Sequence, residues 1–325
     1  MTRSHLMSTT PDAVVLGHGP VGATIAAHLL DQGRTVRVVT RSGSGPEGAE
    51  RVRADVLDHD AVARAIGDAP AVHMAFHAPY DARTWSRMLP TMEAGVLAHT
   101  ARTGAAVATA ESLYAFDPAA SPFTAASPLR PPSRKGAVRR TLLAARDVSG
   151  ARVTSVVAGD FVGPRVLMSH AGERMMLPLL RGGTFRPVGD VDLPHAFTHV
   201  PDLAAAMVAA TQSVRGDGEG GHRVVLAPHA GSITMRDLVA RVAAAAGVTA
   251  PRLAPMSQRL LSAVGLVTPS VREIAEVTYQ FTQAFEIDVD AATADARTLG
   301  LTATPWSTAI AETVAWWQAR TAVAA

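Results

Sequence analysis

A short apolar run, Asp12–Leu16 (DAVVL), stops at Gly17-His18-Gly19-Pro20-Val21-Gly22 and gives way to Pro20–Leu30, a stretch of helical composition. A strand that ends in G-x-G-x-x-G and opens directly into a helix reads as the first β-turn-α unit of a parallel sheet. Gly17 permits the tight turn, Gly19 lets a pyrophosphate approach the backbone, and Gly22 allows helix and strand to pack closely. The helix start at Pro20, Val21 and Gly22 offers free N–H groups and the positive end of a helix dipole to phosphates.

The alternation continues down the first half of the chain. Thr35–Thr40, Arg51–Ala54, Ala71–Phe76, Ala105–Thr109 and Arg152–Ala158 read as strands, and Ala61–Ile66, Tyr80–Arg102 and Ser133–Val148 as helices, with Pro90 expected to kink or break the second of these. Strand and helix in turn give a parallel sheet covered on both faces, an α/β, Rossmann-like doubly wound fold. The Pro- and Ser-rich segment Asp117–Pro132 reads as a surface loop. After Gly163-Pro164 the pattern loosens into helices His170–Arg181, Pro201–Ser213, Met235–Ala246, Ser257–Val264, Val271–Thr282, Ala291–Leu299 and Thr308–Ala319, with extended pieces at Phe185–Val188, Phe197–Val200 and His222–Leu226. The expected division is a dinucleotide-binding core over residues 11–164 and a smaller, mostly helical C-terminal substrate lobe over residues 165–325, with residues 197–228 returning to the core sheet.

Composition excludes several functions. There is no cysteine among the 325 residues, so disulfides, thiolate catalysis and Cys-bound metals are out. Net charge is only +2 and no Lys/Arg block alternates with aromatics, which argues against nucleic acid. No apolar run approaches the ~18 residues of a membrane span, and the first residues lack an apolar signal core. A cytoplasmic protein with no membrane partner is expected. His195 and His199, or His73 and His77, lack the helix or the carboxylate that a metal site needs, so no metal is expected. Trp316-Trp317 reads as packing for the last helix.

The end of the second strand usually selects the nicotinamide cofactor, NAD binders placing Asp or Glu there for the ribose hydroxyls. Here it is Thr40-Arg41-Ser42. Arg41 can clamp a 2′-phosphate and Ser42 can add a hydrogen bond, which favours NADP(H) while leaving NAD(H) open.

Taken in order, Gly17–Gly22, Asp55-Val56-Leu57-Asp58, Val72-His73-Met74-Ala75, Leu113-Tyr114, Phe161-Val162-Gly163-Pro164 and Phe197–Asp202 resemble an extended short-chain dehydrogenase/reductase of the NAD-dependent epimerase/dehydratase family. The resemblance implies that Asp55 bonds the adenine amino group with Val56 packed on the ring. It implies that Ala75, Phe76 and His77 line the ribose side and that Phe161–Pro164 lie beside the nicotinamide. It also makes a small-molecule substrate and a homodimer natural expectations.

Members of that family usually carry a Ser or Thr, a Tyr and a Lys. Tyr moves the substrate proton, and Lys holds the ribose and lowers the Tyr pKa. Matching Pro131-x-Ser133 and Gly136 puts Lys135 at the Tyr place and Arg139 at the Lys place, and matching Tyr114 puts Ala110 at the Ser place. All three groups are changed. Arg139 can still bond ribose hydroxyls; Lys135 can stabilise an oxyanion or act as an acid, and can also touch the cofactor. Tyr114, Glu111, Ser112 and His77 are the remaining candidates at the strand ends. Three functions stay open: an atypical NADP(H)-dependent oxidoreductase, a non-redox lyase, isomerase or cyclase on the same frame, and a non-catalytic NADP(H) sensor.

Overall fold

The computed structural model describes residues 10–213, 221–265 and 268–323. Its apolar runs become strands β1 (Ala13–Leu16), β2 (Val36–Thr40), β3 (Glu50–Arg53), β4 (Ala71–Met74), β5 (Ala106–Ser112), β6 (Arg152–Ala158) and β7 (Asp160–Val162), alternating with helices α1 (Pro20–Asp31), α2 (His59–Ile66), α3 (Ala82–Thr103) and α4 (Arg134–Asp147). There follow α5 (Glu173–Arg181), β8 (Thr184–Phe185), β9 (Pro194–His195), β10 (Phe197–His199), α6 (Val200–Ser213), β11 (Gly221–Leu226), β12 (Ile233–Thr234), α7 (Met235–Ala246), β13 (Arg252–Leu253), α8 (Gln258–Gly265), α9 (Pro269–Ala275), α10 (Val289–Thr298) and α11 (Trp306–Val323).

One seven-stranded sheet runs in the order β11-β6-β5-β4-β1-β2-β3, and every pairing in it is parallel. Strands covered on both faces need apolar residues at consecutive positions rather than alternate ones, and Val14, Val15 and Leu16 are all fully buried. Ile25, Leu29, Leu203 and Met207 of α1 and α6 cover one face. Val62, Ile66, Trp85, Leu89, Val96 and Leu142 of α2, α3 and α4 cover the other. The order reverses at β1 and β4, so the loops after these strands open a crevice at the carboxyl edge of the sheet. A separate core of Met175, Met176, Leu179, Val239, Val314 and Trp317 joins α5, α7 and α11.

Three segments differ from their sequence reading. Helix α3 continues through Pro90. The carbonyl that Pro90 leaves unpaired belongs to exposed Ser86, where water can satisfy it, while Leu89 and Met92 anchor the helix on either side. Val271–Thr282 is not one helix: α9 ends at Ala275 and a 3-10 turn follows at Thr278–Phe281. There the Thr278 hydroxyl donates to the Ala275 carbonyl (2.9 Å) and the Gln280 amide to the Val277 carbonyl (3.1 Å), side-chain bonds that compete with helix propagation. The loop at Asp117–Pro132 is pinned rather than free on the surface. Phe123 is fully buried, and its backbone bonds the Glu286 carbonyl and the Asp288 N–H at 2.8 and 2.9 Å.

Candidate active site

The phosphate loop is built from glycines with different surroundings. Gly17 has φ +106°, and a β-carbon there would lie 2.6 Å from the Ala75 carbonyl oxygen. A β-carbon on Gly22 would lie 2.2 Å from the Gly17 oxygen. Both positions are closed by backbone, and both bring α1 hard against the β1 and β4 ends. Gly19, at the helix N-cap, has nothing within 4 Å of the same point. A cradle that is tight beneath and open above suits a diphosphate resting on the α1 N–H groups. Burial, with Arg165 and Arg51 nearby, lowers the pKa of His18. Arg165, at φ 65°, is the one non-glycine residue with positive φ among the described residues.

Arg41 and Ser42 are exposed at the end of β2, where the Ser42 hydroxyl donates to Ser44 (2.9 Å). Arg53 pairs with Thr40 in the register of β2 and β3, and its Cβ is 3.5 Å from the point a Gly43 β-carbon would occupy. The sequence reading names Arg41 and Ser42 here; the strand pairing brings Arg53 to the same edge. Asp55 uses Oδ1 to accept the Leu57 N–H (3.0 Å), and Val56 is buried beside it. Ala75 and Phe76 are half-buried against the glycine turn, and Phe161 packs on the core at the β7 end.

Arg139 projects from α4 into an aromatic corner. It donates to His77 Nε2 (2.9 Å), lies 3.6 Å from Glu111 Oε1, and stacks 5.0 Å from the centre of the Trp85 ring. Its Nε is buried without a partner, a donor that a ribose hydroxyl would satisfy. His77 Nδ1 donates to the Ala78 carbonyl (2.6 Å), which leaves Nε2 free to accept. The residue keeps an exposed face, but desolvation where the ring packs on Trp85, together with the Arg139 charge, holds its pKa down at about 4.

Tyr114 stands beyond β5. Its hydroxyl meets that of Tyr80 at 3.0 Å, and its ring stacks on Trp85 at 6.3 Å. Burial, with Asp160 nearby, pushes its pKa up to about 12, so the phenol is protonated at neutral pH. Gly136 makes this geometry possible, because a β-carbon there would lie 2.2 Å from the Tyr114 carbonyl.

Two of the sequence candidates prove to be fully engaged. Glu111 accepts from Arg146 (2.7 Å) and from the Ser112 N–H (2.8 Å), so both of its oxygens are occupied. Lys135 is fully buried, and its ammonium donates to the Glu273 carbonyl (3.0 Å), the Glu273 carboxylate and the Glu276 carboxylate (3.3 Å). This differs from its reading as an oxyanion-stabilising group. Sequence could not show it, because both carboxylates come from α9 and its end, far along the chain and inside no motif. His195 and His199 also go separate ways. His195 stacks on Phe281 at 4.7 Å and faces Asp160 at 3.3 Å, whereas His199 faces Glu312 at 3.1 Å. Among the described residues no group of His, Asp and Glu could hold a metal, and no helix is long and apolar enough to cross a membrane.

The enclosed histidines give the molecule an acid-sensitive side. His170 and His229 have folded pKa values near 4, lowered chiefly by burial from 6.5. The unfolded chain therefore takes up these protons first as pH falls. The stability they provide is complete above pH 6.5 and is lost between 6.5 and 4, by roughly 3 kcal/mol for the well-buried His229. Urea midpoints should fall between pH 7.5 and 4.5, and His229→Gln should flatten that slope. A midpoint that does not change across this range would contradict the assignment.

The same architecture recurs in solved structures. MoeE5 in complex with UDP-glucose and NAD matches with a TM-score of 0.73 at 21% identity, over 96% of this chain and 99% of its own. The Bordetella bronchiseptica enzyme WbmG in complex with NAD and UDP gives 0.74 at 17% identity, over 96% of each chain. A UDP-galactose 4-epimerase gives 0.71 at 17% identity, over 95% and 99%. At such identities the likeness speaks for the fold. No curated protein matches the sequence. The family model for NAD-dependent epimerases/dehydratases matches residues 13–227, from the first strand to the return of the chain beside β6. With that match over more than half its length, the chain belongs to the NAD-dependent epimerase/dehydratase family.

Proposed function

We propose that this chain is an atypical NADP(H)-dependent oxidoreductase acting on a small organic substrate. The observation that carries the reading is the cradle at Gly19, open where a diphosphate would rest and closed everywhere beneath it. Arg139 would hold the nicotinamide ribose through its unpartnered Nε, and Asp55 would meet the adenine. Once bound, the dinucleotide gives or accepts hydride at its nicotinamide ring. The chain must then handle one proton. Tyr114 is the best-placed donor, since its phenol stays protonated at neutral pH. The Tyr80 hydroxyl, 3.0 Å away on a residue with 42% exposure, can return the proton from solvent.

A non-redox reaction or a sensor role has one observation in its favour: Lys135, at the place of the family's phenol, has no donor left for a substrate. Turnover without a change in nicotinamide absorbance would support the former.

The preference for NADP(H) rests on Arg41 and Arg53. Arg41→Ala should weaken NADPH about tenfold or more, as expected for loss of a charged hydrogen bond to phosphate, and should leave NADH within about twofold. Calorimetry with both dinucleotides checks this. Equal losses for the two would refute 2′-phosphate recognition.

A further inference from the structure

The residue that stands where the family keeps its phenol has a different employment here. An ammonium has three donors and no more, and those of Lys135 go to the Glu273 carbonyl and to the carboxylates of Glu273 and Glu276. We propose that Lys135, Glu273 and Glu276 form a clasp that fastens helix α9 onto the starts of α3 and α4. Lys135 is thereby a positioning residue rather than a catalytic one.

The two carboxylates reach both helix ends. Glu273 accepts the Ala82 N–H at the first residue of α3 (2.9 Å), and Glu276 accepts the Lys135 N–H in the first turn of α4 (3.1 Å). Asp81 and Ser133 already cap these helices by bonding the Thr84 and Gly136 N–H groups. The α9 carboxylates therefore satisfy further orphan donors at the positive ends of two dipoles. Arg134 adds a second cation, 3.6 Å from Glu273 and 3.4 Å from Glu276, so two positive and two negative groups balance. Side-chain exposure is 0% for Lys135, 6% for Glu273 and 12% for Glu276. The Tyr80 ring lies under the ammonium at 4.7 Å. Burial raises the Glu276 pKa, but the Lys135 N–H and the charges of Lys135 and Arg134 outweigh it and hold the pKa below the usual value.

The clasp acts on the crevice through the turn that follows α9. Gln280 in that turn lies beside Tyr114, and Tyr80 connects the ammonium to the Tyr114 hydroxyl. With α9 fastened, the aromatic corner that surrounds Arg139 has a fixed roof. Release of α9 frees it, and a bound dinucleotide then leaves faster. That consequence rests on the reading of the crevice as a nicotinamide site; the clasp itself does not.

Hydrogen exchange on the full chain tests the clasp, and stopped-flow fluorescence of NADPH release tests its consequence. Lys135→Met leaves two buried carboxylates with only the largely exposed Arg134 as counter-charge. It should raise exchange across residues 268–281 and the start of α3 about tenfold or more, and speed NADPH release about fivefold with the association rate within about twofold. The triple variant Lys135→Met, Glu273→Gln, Glu276→Gln removes the three buried charges together, leaves only the largely exposed Arg134, and should restore both quantities to within about threefold of the parent. If Lys135→Met does not fold, Glu273→Gln with Glu276→Gln should by itself open the same segment. Unchanged exchange over 268–281 in these variants overturns the clasp. A triple variant that regains protection but not NADPH retention overturns the assignment of Lys135 as a positioning residue, since Lys135 would then be touching the cofactor directly. Absence of NADPH binding by the parent chain would refute the nicotinamide reading and leave the exchange result to decide the clasp.

Discussion

Arg146→Ala should destabilise the fold by about 3–5 kcal/mol, the cost of leaving buried charges without their partner. Arg146 is fully buried beneath the sheet. It holds Glu93 through two bonds of 2.8 and 2.6 Å, Glu111 through one of 2.7 Å and the Ser155 hydroxyl through one of 2.9 Å. Burial lowers the Arg146 pKa, but the two carboxylates outweigh this and raise it. Without the guanidinium, Glu93 and Glu111 face each other, and among the described residues Arg139, 3.6 Å from Glu111, is the cation left to compensate. Urea unfolding should show a large fall in midpoint with an unchanged slope. Arg146→Met combined with Glu93→Gln should recover much of the loss, because an apolar group beside a neutral amide leaves less charge exposed to the interior. A loss below about 1 kcal/mol in Arg146→Ala would mean that water reaches the network and screens it.

The same substitution should be felt at the crevice, because Glu111 is shared between Arg146 and Arg139. Glu111 read as a catalytic candidate from its place at a strand end. In the folded chain it aligns one arginine with another. Sequence gives the place of such a residue and not its partners: Glu93 and Arg146 lie on α3 and α4, and nothing in either helix marks them as facing the same buried point. Lys135, Glu273 and Glu276 repeat the lesson across a much greater separation.

What was legible follows from local physics. The parallel sheet could be read because strands covered on both faces show as consecutive apolar residues, as at Val14–Leu16, and because each is followed by a helix. The glycine turn could be read because its conformational demands fall on adjacent residues. Pro90 misled because a proline breaks a helix only when the carbonyl it strands has no other partner, and exposure of that carbonyl is a tertiary fact. The end of α9 misled for a similar reason, since Thr278 and Gln280 bond backward to the chain and stop a helix that the apolar spacing would continue. Arg139 was placed at the cofactor by resemblance. Its neutral acceptor His77 and the Trp85 ring beneath it come from folding alone.

The second large effect separates two glycines a few residues apart. Gly22→Ala puts a β-carbon 2.2 Å from the Gly17 carbonyl oxygen, backbone against backbone. Helix α1 must move off the sheet, and a loss of about 3 kcal/mol or more in stability is expected. Gly19→Ala meets nothing within 4 Å. Its methyl group enters only open space, where the proposed diphosphate would rest, so the fold should keep its thermal midpoint and binding alone should suffer.

That contrast makes calorimetric titration of NADPH and NADH into the parent chain and Gly19→Ala the most direct test of the account. One nicotinamide dinucleotide should bind per parent chain with a Kd on the order of micromolar, and Gly19→Ala should weaken it at least about tenfold with its thermal midpoint unchanged. If the parent chain binds neither dinucleotide, or Gly19→Ala binds as well as the parent, the turn after β1 is not where a cofactor rests.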